Sequence, residues 1–168
     1  MSGAKGFYKI KIRKEALKFS AAHMTIFADG SKEGLHGHNY RSVLKMEFEN
    51  FSLSEMLPFA ELKKNMRTIC QEWDEKVLLP ERCELLRVLS KQDPSYEFEV
   101  CGKRYVLPKD ETVFLPTDNV TTESLAKLFC DRFVASIPKT DLVKARVRTI
   151  EICIEEMLGQ GASYVVSF

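Results

Sequence analysis

The chain has 168 residues, 45% hydrophobic and 29% charged, which is the balance of a globular protein with a sizeable buried core. Its formal net charge is +1 and its Lys and Arg residues are dispersed, which argues against a nucleic-acid or acidic partner. No stretch approaches the ~20 apolar residues of a membrane-spanning helix, and the polar N-terminal stretch lacks the apolar core of a signal peptide. We therefore expect a cytoplasmic protein with one domain over residues 1–168 and no membrane partner.

Alternating apolar and charged residues predict a half-buried strand over residues 7–19 and a second strand over residues 38–49. Apolar residues at three- and four-residue steps then predict an amphipathic helix from Phe59 to Trp73. Its boundaries are marked by Pro58 ahead of it and Pro80 beyond it.

The region of about residues 80–116 is interpreted as an insertion, in which residues 96–107 predict a β-hairpin that turns at Cys101 and Gly102. A second helix is predicted from Thr121 or Thr122 to Pro138, followed by strands over residues 146–156 and 162–168. Antiparallel strands interrupted by two amphipathic helices predict an α+β fold with the helices on one face of the sheet. The five cysteines are odd in number and contain no C-x-x-C pair, so they predict free, mostly buried thiols.

All three histidines of the chain fall between positions 23 and 38. His36 and His38 are separated by one glycine, so the period of a strand places both imidazoles on the same side. His23 ends the preceding strand, which antiparallel pairing would bring alongside. Three imidazoles and an open fourth position form a catalytic zinc arrangement. On spacing alone, this site and a set of ordinary surface histidines are about equally favoured.

Two carboxylates stand at positions where the chemistry of a site would use them. Glu156 follows a row of inward-facing isoleucines, where it either reaches solvent at the strand end or binds a ligand with several N–H donors. Glu33 lies three residues before His36 in a Gly-containing loop. Beside a metal it would serve as a general base, whereas a loop glutamate taken alone is usually solvated.

The pair Asp74–Glu75 follows the first predicted helix. A carboxylate at a helix C-terminus opposes the helix dipole, at a small cost in stability. That placement hints at a purpose other than stabilising the helix.

Five blocks of the sequence form a recognisable set. They are residues 19–23 (FSAAH), 35–40 (LHGHNY), 59–63 (FAELK), 119–123 (NVTTE) and 152–156 (ICIEE), the last followed by Tyr164. Together they resemble the 6-pyruvoyl tetrahydropterin synthase and 6-carboxytetrahydropterin synthase family. The HGHNY block with its upstream histidine is the most specific of them, and the matches cover most of the chain outside the insertion.

The resemblance implies a T-fold, which is a four-stranded antiparallel sheet with two helices on one face. Such subunits assemble into barrels, commonly as hexamers, so the chain is expected to be a homo-oligomer with sites at subunit interfaces. The resemblance also implies a zinc ion (Zn2+) bound by His23, His36 and His38.

The substrate implied by the resemblance is a pterin, usually 7,8-dihydroneopterin triphosphate, whose side-chain hydroxyls the metal would polarise. Its ring would be anchored by Glu156, and Thr121 and Thr122 would lie near it.

The sequence departs from the usual family pattern at two places. Typical members carry a catalytic cysteine shortly before HGH, whereas Glu33 here resembles a subgroup in which glutamate replaces it. That subgroup is associated with cleavage to 6-hydroxymethyl-7,8-dihydropterin, a folate precursor. A carboxylate can accept a proton from a substrate hydroxyl and so allow retro-aldol cleavage of a carbon–carbon bond. The second departure is Asp74–Glu75, where the family commonly shows Asp-His.

We therefore predict a zinc-dependent pterin side-chain lyase with Glu33 as the base and with Asp74 and Glu75 assisting catalysis. One alternative is a relative that makes 6-carboxy- or 6-pyruvoyl tetrahydropterin, against which the missing cysteine argues. Another is a non-catalytic pterin- or zinc-binding relative, against which the retained Glu33 argues.

Overall fold

The computed structural model describes residues 6–50, 52 and 54–168. Residues 1–5, which belong to the polar N-terminal stretch, and residues 51 and 53 lie outside the described residues. Within the described part the elements follow in the order β1 (Tyr8–Ile12), β2 (Lys18–His23), β3 (His36–Phe48), α1 (Phe59–Trp73), β4 (Lys76–Pro80), β5 (Leu86–Ser90), β6 (Ser95–Val100), β7 (Lys103–Pro108), β8 (Thr112–Leu115), α2 (Thr122–Ala135), α3 (Lys139–Lys144), β9 (Val147–Met157) and β10 (Gln160–Ser167).

A large sheet has the strand order β10-β9-β3-β2-β4-β8, with β1 also paired to β3. Strands β1 and β2 pair antiparallel with different parts of β3, so they lie end to end along one of its edges. The single strand predicted over residues 7–19 is therefore wrong. The chain turns at residues 13–17, where Leu17 N–H donates to Lys14 O at 3.0 Å, because Lys14 and Glu15 break the alternation.

The sheet is antiparallel from β10 to β2 and parallel beyond it, since β4 pairs parallel with β2 and β8 pairs parallel with β4. It is larger than the four-stranded antiparallel sheet that the family resemblance implied. The sequence analysis missed β4 because its short apolar run, Val77–Pro80, shows no alternation from which a strand could be recognised.

The helices pack on one face of the large sheet, as the sequence predicted, and the α+β class is confirmed. Helix α1 has the predicted bounds, and α2 begins as predicted but ends at Ala135, so the turn before Pro138 is not helical. Helix α3 was not predicted. No described helix is long and apolar enough to cross a bilayer. The main core joins the inner faces of the helices and sheet through residues such as Trp73, Phe129, Phe133, Leu44, Ile150, Ile152 and Ile154.

The insertion forms a separate three-stranded antiparallel sheet, β5-β6-β7. Its hairpin turns at Cys101 and Gly102, as predicted, with φ angles of 48° and 71°. Strand β8 falls inside the predicted bounds of the insertion, yet it belongs to the large sheet. A small second core binds this sheet to the chain just after β2 and consists of Met24, Ile26, Leu79, Phe98 and Val100.

All five cysteines are free thiols, as predicted. Cys70 and Cys130 are buried in the main core, and the other three are half-buried. The prediction of buried thiols is therefore confirmed for two of the five cysteines, and the other three are only partly buried.

Candidate metal and substrate site

The pairing of β2 with β3 brings the three histidines together. His23 lies opposite His36 in the ladder, and Ala21 lies opposite His38, so all three imidazoles occupy one face. One ring nitrogen of each histidine lies within 4.8 Å of the others. The ring centroids are 4.7 to 5.3 Å apart. This is the arrangement that the one-residue spacing predicted.

Hydrogen bonds to backbone carbonyls fix the tautomers of two of these rings. His23 Nδ1 donates to Val120 O at 2.8 Å, and His36 Nδ1 donates to Gly34 O at 2.9 Å. The Nε2 atom of each ring is then an acceptor, and that of His23 is buried without a partner among the described residues. Burial lowers the pKa of His23, which favours its neutral form. Neutral imidazoles oriented by carbonyls are the ligands that zinc takes, so these residues fit the metal.

A cavity of about 240 Å³ opens beside the histidines. All the predicted site residues except Asp74 and Glu75 line it. Thr25, which the sequence analysis missed, lines it as well. The lining residues are His23, Thr25, Glu33, His36, His38, Thr121, Thr122 and Glu156.

Glu33 is placed by a pair of contacts with Thr25. The Glu33 N–H donates to Thr25 O at 2.9 Å, and Thr25 N–H donates to the Glu33 carboxylate at 3.2 Å. Hydrogen bonding from Thr25 lowers the pKa of Glu33 and outweighs the opposing effect of burial. The carboxylate is therefore ionised at neutral pH and can accept a proton.

Glu156 lines the cavity from a β-bulge at the end of β9. In the β9–β10 ladder Gln160 pairs with Met157 and Gly161 pairs with Glu155, which leaves Glu156 as the extra residue. Gln160 Nε2 donates to the Glu156 carboxylate. At Gly161 an added Cβ would lie 2.3 Å from the carbonyl oxygen of Ile154, so the close approach of the strands requires glycine.

Thr121 and Thr122 reach the cavity from the start of α2. The Thr121 hydroxyl caps this helix by accepting from Ser124 N–H at 3.4 Å, and Ser124 Oγ accepts from Thr121 N–H at 3.0 Å. This capping box sets the position of both threonines at the edge of the cavity.

Asn119 has a supporting role that the sequence analysis missed. Its Oδ1 accepts from the N–H groups of Ile26 and Val120, and its Nδ2 donates to Ile26 O at 2.7 Å. It therefore joins the segment after β2 to Val120, whose carbonyl orients His23. Its only signal in the sequence was its place in the NVTTE block, which indicated a family but no function for this residue.

Asp74 and Glu75 lie beside β2, along the edge that does not pair with β3. The Asp74 carboxylate accepts from Ser20 N–H, and Glu75 N–H donates to Ser20 O, both at 2.7 Å. Glu75 has a φ of 56°, an uncommon conformation for a residue other than glycine. It lines a shallow depression with Gly37 and Asn39, which alternate with the histidines along β3. The structure does not bring this pair into the histidine cavity of its own chain.

The model of one protein family, 6-pyruvoyl tetrahydropterin synthase, matches residues 11–166. The chain belongs to the 6-pyruvoyl tetrahydropterin synthase family. A Methanocaldococcus jannaschii relative, named as a 6-carboxy-5,6,7,8-tetrahydropterin synthase, is 30% identical over 149 residues, which is 88% of this chain and 89% of the relative. Membership of the 6-pyruvoyl tetrahydropterin synthase family supports a pterin synthase or lyase activity.

Solved structures of the same family confirm the T-fold. The Plasmodium vivax 6-pyruvoyltetrahydropterin synthase matches with a TM-score of 0.89 and 22% identity, over 97% of this chain and 99% of that chain. The Plasmodium falciparum protein matches with a TM-score of 0.89 and 21% identity, over 96% and 99%. In another structure of the P. vivax protein, alanine replaces a glutamate described as a catalytic residue.

Proposed function

We propose that this chain is a zinc-dependent lyase that cleaves the side chain of 7,8-dihydroneopterin triphosphate to give 6-hydroxymethyl-7,8-dihydropterin, a folate precursor. The observation that carries the proposal is one cavity that joins three histidines to two carboxylates and contains no cysteine among its described lining residues. Zinc held by His23, His36 and His38 would act as a Lewis acid toward substrate oxygen.

Glu33 is the proposed base. It lines the same cavity as the histidines, and the lowered pKa keeps it ionised at neutral pH, so the proton-accepting form is the one present. In a retro-aldol cleavage the proton leaves the hydroxyl of the second side-chain carbon, and the bond between the first and second carbons breaks. The second carbon leaves as an aldehyde, while the first takes the electron pair and is then protonated. A catalytic glutamate in the P. vivax relative supports this role.

Glu156 is the proposed anchor of the pterin ring. Its carboxylate lines the cavity, where it can accept paired hydrogen bonds from the N–H edge of a pterin. Because Gln160 already donates to one of its oxygens, the carboxylate is held in one orientation. Thr121 and Thr122 would line the ring at the start of α2.

The geometry also supports a homo-oligomer, which we propose is a hexamer with sites at subunit interfaces. The cavity of about 240 Å³ is smaller than a typical ligand pocket of roughly 300–1,000 Å³. Its described lining has two carboxylates and no lysine or arginine, so it offers nothing to balance a triphosphate. A neighbouring copy would complete the wall of the cavity and supply the positive charge that a triphosphate needs. Asp74 and Glu75, which lie outside the cavity of their own chain, would then assist the site of a neighbour.

A second candidate is the formation of 6-carboxy-5,6,7,8-tetrahydropterin. The M. jannaschii relative, at 30% identity, bears the name of that activity. The two candidates differ in which atoms leave the side chain, so their products differ in mass.

The test is product analysis by mass spectrometry after zinc-loaded protein is incubated with 7,8-dihydroneopterin triphosphate. We expect 6-hydroxymethyl-7,8-dihydropterin and a two-carbon aldehyde that carries the triphosphate. A 6-carboxy product would establish the second candidate. Unchanged substrate with zinc and pterin bound would overturn both and leave a binding protein.

A further inference from the structure

The inserted sheet packs directly on the segment that carries Glu33. This segment is the loop between β2 and β3. Near its start, Ile26 is buried in the second core together with Phe98 of the inserted sheet. After the turn, the carbonyl oxygen of Ser31 lies 3.8 Å from Cys101 Sγ at the tip of the inserted hairpin. The loop therefore contacts the insertion at two places before the chain reaches Glu33.

Lys32 makes the most direct connection. Its Nζ donates to the carbonyl oxygen of Glu33 at 2.8 Å, and the same Nζ lies 5.2 Å from the centroid of the Tyr105 ring. An ammonium group over an aromatic face is attracted by the ring quadrupole. Tyr105 in turn stacks on Phe98, with ring centroids 5.4 Å and ring planes 9° apart, and Phe98 is fully buried. Contacts thus run without a break from the second core to the backbone of Glu33.

We propose that Tyr105 and Lys32 are positioning residues for Glu33, so that the inserted sheet takes part in catalysis. This inference rests on the proposed function, in which Glu33 is the base. Neither residue lines the histidine cavity, so both act through the Glu33 backbone and not on the substrate.

The rate depends on the position of a base as well as on its presence. A shift of about 1 Å at a reacting group can cost ~100-fold in rate. Within the loop between β2 and β3, Glu33 bonds to Thr25, a turn spans residues 27–31 and one bridge joins Ile26 to Lys32. All of these contacts are local to the loop. The histidines, in contrast, are fixed by strand pairing that does not involve the insertion. Loosening the contact with Tyr105 should therefore displace Glu33 and leave the metal ligands in place.

The test compares three variants at neighbouring positions of β7. Tyr105→Leu removes the ring face, Tyr105→Phe keeps it, and Val106→Ala is the matched control because Val106 is 56% exposed. For Tyr105→Leu we expect kcat to fall by about three- to tenfold, the size of one lost cation–π contact, with KM and zinc content unchanged. Tyr105→Phe should restore kcat, which a hydroxyl-dependent role would not allow. Equal kcat for Tyr105→Leu and Val106→Ala would overturn the proposal.

A double-mutant cycle with Lys32→Met separates positioning from general destabilisation. If the two residues act as one unit, Lys32→Met combined with Tyr105→Leu should lower kcat no further than the larger single effect. If the two reductions in kcat multiply in the double variant, Lys32 and Tyr105 act independently, and the proposed connection between them is wrong.

Amide hydrogen exchange of residues 24–35 gives a readout that does not need turnover, so a failure of the proposed function stays distinguishable. If the wild-type chain makes no product, the proposed function fails by itself, and exchange decides the inference. We expect faster exchange around Glu33 in Tyr105→Leu than in Val106→Ala, and wild-type exchange in Tyr105→Phe. Exchange that is the same in all three variants would overturn the proposal.

Discussion

The β2–β3 ladder presents two faces of opposite character, although the same two strands form both. One face carries His23, His36 and His38 in a cavity backed by the fully buried ring of Tyr40. The other carries small or polar residues and the open carboxylate of Glu75. The first face gathers the proposed metal ligands, base and anchor within one chain. The second face presents Glu75 in a shallow depression, so a role for Glu75 in the proposed reaction would require a second copy.

The largest effect expected is on the metal face. His23→Ala should abolish zinc binding and activity, because it removes a ligand that Val120 O already orients. Ser20→Ala, on the opposite face of the same strand, is the control, and this variant should still bind zinc. Zinc content by mass spectrometry of the native protein checks both. Full zinc occupancy in His23→Ala would contradict the three-histidine site.

Glu33→Gln should lower kcat by roughly 10²–10⁴-fold, the contribution of a positioned general base. Zinc content should be unchanged, because Glu33 is not among the clustered ligands. Steady-state kinetics on zinc-loaded protein measures the change. A variant with wild-type turnover would remove Glu33 from the mechanism.

Subunit mixing tests whether Glu75 acts on the site of a neighbouring copy. Glu33→Gln and Glu75→Gln should each be poorly active alone. Co-assembled in equal amounts, they should recover about a quarter of wild-type activity, since one site in four would combine two intact residues. Recovery above the separate variants supports an intersubunit site. An unrecovered mixture, with co-assembly demonstrated, would show that Glu75 does not complement a neighbour.

Glu156→Gln should act on binding more than on chemistry. Losing charge-assisted hydrogen bonds worth about 1.5–3 kcal/mol should raise KM by ~10- to 100-fold. Because Gln160 donates to Glu156, Gln160→Ala is the milder companion and should raise KM less. Pterin binding by fluorescence titration distinguishes the two. An unchanged affinity in Glu156→Gln would refute the anchor.

The smallest effect is on stability. Asn119→Ala should lower the free energy of unfolding by about 1–3 kcal/mol, because it leaves partly buried backbone groups of Ile26 and Val120 without their partner. Asn39→Ala, on the exposed face, removes only a bond with Ser20 and should cost less. Urea unfolding of both variants gives the comparison, and equal losses would contradict the supporting role of Asn119.

Local periodicity was sufficient for several parts of the molecule. The three- and four-residue steps of α1 predicted its bounds, and the parity of Ile150, Ile152 and Ile154 placed Glu156 at the inner face. The prediction of a single strand over residues 7–19 was wrong because the alternation resumes beyond the break at Lys14 and Glu15, so the turn there is easily overlooked. Strand β4 was missed because its short apolar run shows no alternation from which a strand could be predicted.

What the sequence by itself determined is the histidine cluster, because His36 and His38 stand one residue apart and His23 ends the strand that pairs beside them. The tertiary structure alone decided that Asp74 and Glu75 lie outside the histidine cavity, since their position depends on the parallel pairing of β4 with β2. It also decided the contact between the insertion and the Glu33 loop. Such contacts join residues about 70 positions apart, such as Ser31 and Cys101, and no local pattern encodes them.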